Sequence, residues 1–300
     1  MSVAQAETSL LVEETTGGLA RDAGRRLRRS PTAIVGAVLI AVFVLVAVLA
    51  PVLAPYSPTA TDLSQIRPGV FPGPSARHLM GLDTLGRDEL SRILYGARYS
   101  LLIGIVSLGI GASVGIAIGL LAGAFGGWVD GLLMRLVDIV LAVPGLLFAI
   151  GVAALLGRSL TSVMIAIAVV NVPIFARLLR GAMLGQRRSD YALAARSLGV
   201  TRGRVVVQHV FPNSLAPVIV QATLALATAI IDAAGLAYLG LGSADPGIPE
   251  WGRMLAETNA FLETAPLLAL FPGLAIVLSV LGFYLLGEAL REALDPKLRR

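Results

Sequence analysis

Six apolar stretches, each long enough to cross a bilayer as a helix, decide what this chain can fold into. A helix needs about 20 predominantly apolar residues to traverse the hydrocarbon core, and the segments 33–53, 101–125, 132–156, 160–184, 213–239 and 266–286 reach that length. Hydrophobic residues make up 56% of the 300, charged residues only 14%, and the mean hydropathy is +0.82. Too little polar material remains to cover a soluble globule. The expected fold is all-α, a polytopic membrane protein with six transmembrane helices.

Chemistry is sparse. There is no cysteine, which excludes disulfides and thiolate metal sites, and the only histidines are His78 and His209. No G-x-x-x-x-G-K-[ST] phosphate loop, dinucleotide fingerprint, metal-ligand cluster or nucleophile beside a base stands in the sequence, so no catalytic activity and no bound cofactor are expected of this chain.

Particular residues inside the apolar segments stand out. Gly104, Gly109, Gly111, Gly115 and Gly119 give the second segment a small-residue face suited to close helix approach. Arg135 and Asp138, three apart on one face, are expected to satisfy each other or a neighbouring helix. Pro144 and Pro173 should kink their helices and free carbonyls that neighbours or a wet cavity must satisfy. Asp232 lies about 29 Å along the fifth helix from Asn213, nearer a membrane surface than the midplane. It reads either as the partner of a loop arginine or as a functional contact near the outer surface.

Charge sets the expected orientation. With both termini in the cytoplasm, 17 of the 24 Lys and Arg fall on that side and 7 on the other, as the positive-inside rule favours. The net charge of +5 lacks interleaved aromatics and fits lipid headgroups and topology rather than nucleic acid. Arg21, Arg25, Arg26, Arg28 and Arg29 imitate a signal-peptide n-region, but the apolar run behind them is too long for an h-region. The expected division is a cytoplasmic tail over 1–32, polar and flexible to residue 19, a first span over 33–53, an extracytoplasmic loop over 54–100, a five-helix core over 101–286 and a cytoplasmic tail over 287–300.

One polar unit, 190–213, interrupts the core between two apolar segments. Asp190 is placed to cap a helix over 191–198, Gly199 to end it in a left-handed C-cap, Thr201 to start a second short helix and Pro212 to sit in a first turn. It reads as a docking surface, not a span.

Ala194-Ala195, Gly199 and Pro212 resemble the cytoplasmic coupling loop of bacterial ABC importer permeases, with Leu193 where that family usually has Glu. A second stretch, with Gly81, Asp83, Gly86, Arg87, Asp88, Ser91, Arg92, Tyr95, Gly96, Arg98 and Ser100 at matching positions, resembles the C-type permease subunit of dipeptide, oligopeptide and nickel importers. The runs 235–242 and 249–255, Phe271-Pro272-Gly273 and the terminal 287–296 extend the likeness over roughly 31–299, while Tyr284 replaces an expected Asn.

The resemblance implies a type I ABC importer permease fold in a bacterial plasma (inner) membrane, multi-pass. It implies ATP-driven uptake of peptides handed over by an extracytoplasmic solute-binding protein, with a second homologous permease completing the path. Two ATP-binding subunits or domains would hold ATP and Mg²⁺. Asp190, Tyr191, Ala194, Ala195, Arg196, Gly199 and Pro212 would meet the ATPase, the two alanines seating closely, Leu193 adding apolar contact and the 205–210 helix bracing on the membrane. Asp83, Arg87, Asp88, Arg92, Asp232 and Trp251 would form the extracytoplasmic loop and gate, the first four as a mixed-charge network. Nickel or another small solute is the alternative cargo. An ATP-independent carrier is the alternative mechanism, against which stand the lack of an inverted repeat of broken helices and of a midplane charged pair.

Overall fold

A computed structural model describes residues 24–65 and 71–294. The 1–19 tail, Arg21 and the Asp295-Pro296 end of the terminal motif lie outside the described residues. Apart from two isolated β-bridges, all regular structure among the described residues is helical.

Among the described residues five helices are long and apolar enough to cross a membrane, six spans if a bent pair counts as one: α1 (Pro31–Leu53), α2 (Glu89–Phe125), α5 (Leu160–Gln186), α8 (Leu215–Tyr238) and α10 (Pro266–Leu294). Local chemistry explains their starts. Ser30 caps α1 by accepting from the Ala33 N–H at 3.3 Å, with Pro31 in the first turn, where a proline's missing N–H leaves nothing unpaired. Asp88 caps α2 through the Ser91 N–H at 2.8 Å, so this helix begins twelve residues before its apolar run and shortens the loop expected over 54–100. At the other terminus α10 continues to Leu294, past the expected end of the span at 286.

The third expected span is not one helix. It divides into α3 (Gly127–Leu141) and α4 (Gly145–Leu156), bent by 88°. Pro144 therefore does more than kink. It disfavours helical geometry at Val143 and itself takes an extended ψ of 127° as the N-cap of α4. Pro173 and Pro272 stay inside continuous helices.

The closest packing is between α2 and α5. Gly111, Gly115, Gly119 and Gly123 recur every four residues, one stripe of a helix. A Cβ on Gly111 would lie 2.6 Å from the Ala168 carbonyl oxygen, on Gly115 2.5 Å from that of Val172, on Gly119 2.6 Å from that of Ala176, and on Gly123 2.9 Å from Met183 Sδ. Backbone meets backbone here, as small residues permit. Gly104 and Gly109 are not part of the seam: the first has ordinary contacts with Leu226 and Ile230, and the second touches nothing.

Two ends can be distinguished. The Tyr56 N–H donates to Ser91 Oγ at 3.2 Å, which brings the C-terminus of α1 to the N-terminus of α2. At the opposite end Arg26, Leu27 and Ser30 line a cavity with Ala289 and Glu292 of α10, and Arg187 reaches the last turn of α2. One end thus carries the described termini and the 185–212 segment (the loop end). The other carries 54–88 and α9 (Trp251–Thr258) (the cap end).

Candidate functional site

At the loop end, α6 (Asp190–Ser197) follows α5 after three residues. Its N-cap is Ser189 and not Asp190, which stands in the first turn, where a carboxylate favours the positive end of the helix; no side chain caps the helix start. Its C-terminus is a Schellman turn: the Val200 N–H donates to Ala195 O at 3.1 Å and the Gly199 N–H to Arg196 O at 2.9 Å. Gly199 has φ +81°, a conformation that side chains with a Cβ resist.

The helix then turns into α7, which runs through Arg202–Val205, a π-helical stretch Val206–Val210, and Phe211–Asn213. Pro212 has no N–H to offer the preceding turn. The widened turn before it, with the Phe211 N–H on Val206 O, absorbs that mismatch.

Burial divides α6 into two faces. Ala192 (0% exposed) and Ala195 (9%) pack into the body with Phe175, Leu179, Met183, Val205, Val206 and Val210. Ala195 therefore faces inward, so only Ala194 of the alanine pair is free for a partner. Val205, Val206 and Val210 brace on α5, while Val207 is exposed. Tyr191, Leu193 (49%), Ala194, Arg196 and Leu198 (85%) are exposed. Burial, reinforced by the Arg202 and Arg196 charges, lowers the Arg187 pKa.

At the cap end, Asp83 Oδ1 accepts from the Leu85 and Arg87 N–H groups, both at 2.9 Å, while Oδ2 takes Arg87 Nε at 2.6 Å. Arg87 reaches on to Pro246 O at 2.8 Å and Glu257 Oε2 at 3.0 Å. Arg92 is 0% exposed. Its guanidinium stands 3.2 Å from Asp83 Oδ2 and 3.6 Å from Glu257 Oε2, but no N–H is aligned for a hydrogen bond. Charge alone holds it. Glu257 is completed by Arg253 Nε at 2.8 Å. Asp88, besides capping α2, lies 2.8 Å from His78 Nδ1.

This is a buried network joining the loop before α2 to α9, not a solvated cover. Glu257, Glu89, Arg253 and His78 are the members that sequence reasoning missed. The Arg253 and Glu257 spacing of four residues, an ion-pair spacing on a helix, was the available signal. Nearby, burial raises the Glu250 pKa against the opposing Ser243 N–H bond, and the Ser64 hydroxyl and N–H lower that of Asp62.

Trp251 is also buried. Its Nε1 donates to Ile93 O at 3.1 Å and its ring centroid lies 5.7 Å from that of Phe43, so it wedges α9 against α2 and α1. Asp232 is half-buried and has no hydrogen bond or ion pair among the described residues; no loop arginine meets it. Asp138 pairs with Arg177 of α5 and not with Arg135, while Arg180 makes a two-pronged bond to Asp130 at 2.6 and 2.8 Å.

A groove of about 640 Å³ opens between α3, α5 and α8, lined by Leu141, Ile174, Arg177, Leu178, Gly181, Ala182, Pro217 and Gln221. Pro217, Gln221, Thr228 and Asp232 stand at i, i+4, i+11 and i+15, one face of α8.

Comparison with known proteins follows this geometry. Residues 115–300 match the model of the binding-protein-dependent transport system inner membrane component family. Residues 18–72 match the N-terminal TM domain of oligopeptide transport permease C. The dipeptide transport system permease protein of Alkalihalophilus pseudofirmus is 46% identical over 279 residues, 93% of this chain and 90% of the relative. The glutathione transport system permease protein of Pectobacterium atrosepticum is 46% identical over 227 residues, 76% and 75% of the two chains. Among solved structures, an inward-facing methionine ABC transporter aligns with a TM-score of 0.56 at 18% identity, covering 68% of this chain and 97% of its own. That likeness speaks to the fold alone.

Proposed function

Because this chain belongs to the binding-protein-dependent transport system inner membrane component family, and is thus a multi-pass inner-membrane permease component, we propose that it is the permease of an ATP-driven importer of short peptides. A second, homologous permease faces the α8 stripe and closes the path. The loop end is cytoplasmic, and α6 seats in an ATPase subunit that binds ATP and Mg²⁺. The cap end is extracytoplasmic and receives peptide from a solute-binding protein. The peptide cargo is supported by the dipeptide and glutathione permeases among the relatives.

The observation that carries this reading is the two-faced α6, rooted in the body through Ala192 and Ala195 while Tyr191, Leu193 and Leu198 stand free. Purification of the tagged chain from its membrane in mild detergent tests it. Recovery of ATPase subunits and a second permease, with ATP-dependent peptide uptake after reconstitution, is the expected result. A chain recovered alone that moves solute without ATP would replace it with a carrier.

Two substitutions refine the assignment. Burying a leucine side chain is worth about 1.5–3 kcal/mol, so Leu193→Asp should weaken ATPase retention by about tenfold or more, measured as the ATPase-to-permease ratio after purification. An unchanged ratio would remove Leu193 from the seat. Asp232, with no partner among the described residues, is assigned to the incoming peptide's ammonium group. Hydrogen bonds to charged groups contribute about 1.5–3 kcal/mol, so Asp232→Asn should reduce uptake of free-amine peptides about tenfold and leave N-acetylated peptides unaffected. Equal losses for both would dismiss the contact.

A further inference from the structure

The long helix α2 is held at its C-terminus by two arginines from other segments and at its N-terminus by its own Arg92 among acidic partners. At 1.5 Å per residue its 37 residues span about 55 Å, well beyond the roughly 30 Å hydrocarbon core. The last four carbonyls of a helix have no partner within it, and here each finds one. The Gly126 N–H donates to Ala122 O at 3.1 Å, Arg187 Nη1 to Gly123 O at 2.7 Å, and Arg202 Nη2 to Ala124 O at 3.1 Å and Phe125 O at 2.9 Å.

The two donors flank α6. Arg187 stands three residues before Asp190, and Arg202 opens the helix after the Gly199 turn. A displacement of α6 therefore pulls on α2 from both sides of the short helix. Along its middle α2 cannot slide freely past α5, because the glycine stripe places the backbones in contact. At its cap end Arg92 ties it into the network with Asp83 and Glu257, and Asp88 ties it to His78.

We propose that Arg187 and Arg202 are the positioning residues that hand the motion of α6 to the C-terminal carbonyls of α2, and that the α2–α5 pair carries it as one rigid body to the ion-pair network at the cap end. This rests on the reading of α6 as the ATPase seat. Transfer by a rigid element between two discrete arrangements is how packed helices convey a distant event. Simple helix capping makes a different demand: it requires the cations at the C-terminus but no link between the α6 region and the far end.

The absence of cysteine makes a direct test available. A single reporter, Leu85→Cys, sits on an exposed side chain in the loop leading into α2, and is labelled in the complete reconstituted complex. With native arginines, ATP should change the label's mobility. Arg202→Ala removes an exposed side chain, so the complex should still assemble and keep basal ATP hydrolysis. The ATP-driven change at the label, and peptide moved per ATP, should both fall by about fivefold or more, the lower range of an allosteric coupling. Arg202→Lys, which keeps the cation, should restore part of both.

A full ATP-driven change at the label in Arg202→Ala, with uptake per ATP intact, would overturn the proposal. Loss of the change together with loss of the ATPase subunits would overturn it as well, since Arg202 would then act in assembly. Should the complex with native arginines show no response to ATP, the ATPase-seat reading fails first and the inference falls with it. If the Arg202→Ala chain itself does not fold, Arg187→Lys and Arg202→Lys, each keeping its charge, carry the same comparison of label response with basal hydrolysis.

Discussion

Gly115→Leu should leave no assembled permease to assay. The Cβ alone would come 2.5 Å from Val172 O and 2.7 Å from Phe175 Cβ, and the carbonyl belongs to a helix backbone that cannot rotate aside. Relief requires α2 and α5 to separate, which strips contact from the whole seam between Gly111 and Gly123. Overpacking in a yielding core costs about 1–3 kcal/mol, and at a backbone contact the loss exceeds that range. The measurement is the yield of monodisperse chain after mild-detergent extraction, with uptake in liposomes as the second reading. Gly109→Ala supplies the contrast: nothing stands within 4 Å of its Cβ position. Replacing glycine inside a helix should there gain about 0.5–1 kcal/mol. Comparable yields for the two variants would remove the seam from the account of stability.

Much of this architecture was legible because its signals are local. Apolar runs of twenty residues announce membrane helices whatever they pack against, and the sequence around Gly199 announces a helix end because a positive φ admits few other residues. Breaks are harder to read. Pro144-Gly145 divides two helices while Pro272-Gly273 lies inside continuous α10, so the same dipeptide has opposite outcomes. A proline's freed carbonyl can be re-satisfied by neighbours, and neighbours are a tertiary matter. The glycine seam was half legible. Composition pointed to α2, but only the four-residue register from Gly111 to Gly123 separates seam residues from Gly104 and Gly109.

The charged network was the least legible part. Arg87 and Glu257 are 170 positions apart, and no periodicity connects them. Asp83, Arg87, Asp88 and Arg92 are close in sequence and suggested a mixed-charge network, yet Glu257 and Arg253 of α9 complete it. Asp232 taught the converse: an intramembrane carboxylate suggests a nearby arginine, and none stands beside it among the described residues. The orientation of the α6 alanines was likewise beyond a motif, since Ala194 and Ala195 are adjacent and only packing decides which turns inward.

Arg92→Leu is expected to lower the thermal midpoint of the purified complex by on the order of 10 °C, the largest loss for any charge at the cap end. Breaking a buried ion pair from one side costs about 3–5 kcal/mol, which in a chain of this size corresponds to a shift of that order. The physical reason is what remains. Asp83 Oδ2 keeps only Arg87, and Glu257 keeps Arg87 and Arg253, while Glu89, buried beside them with Oε1 unpaired, loses a neighbouring cation. Leucine fills part of the volume but none of the charge. Arg98 on the same helix is exposed and lies 5.9 Å from the Tyr95 ring centre, a contact worth about 0.5–1 kcal/mol, so Arg98→Leu should move the midpoint little. Equal midpoints for Arg92→Leu and Arg98→Leu would show that the network contributes nothing specific, and that α9 is held to α2 by Trp251 and its apolar neighbours alone.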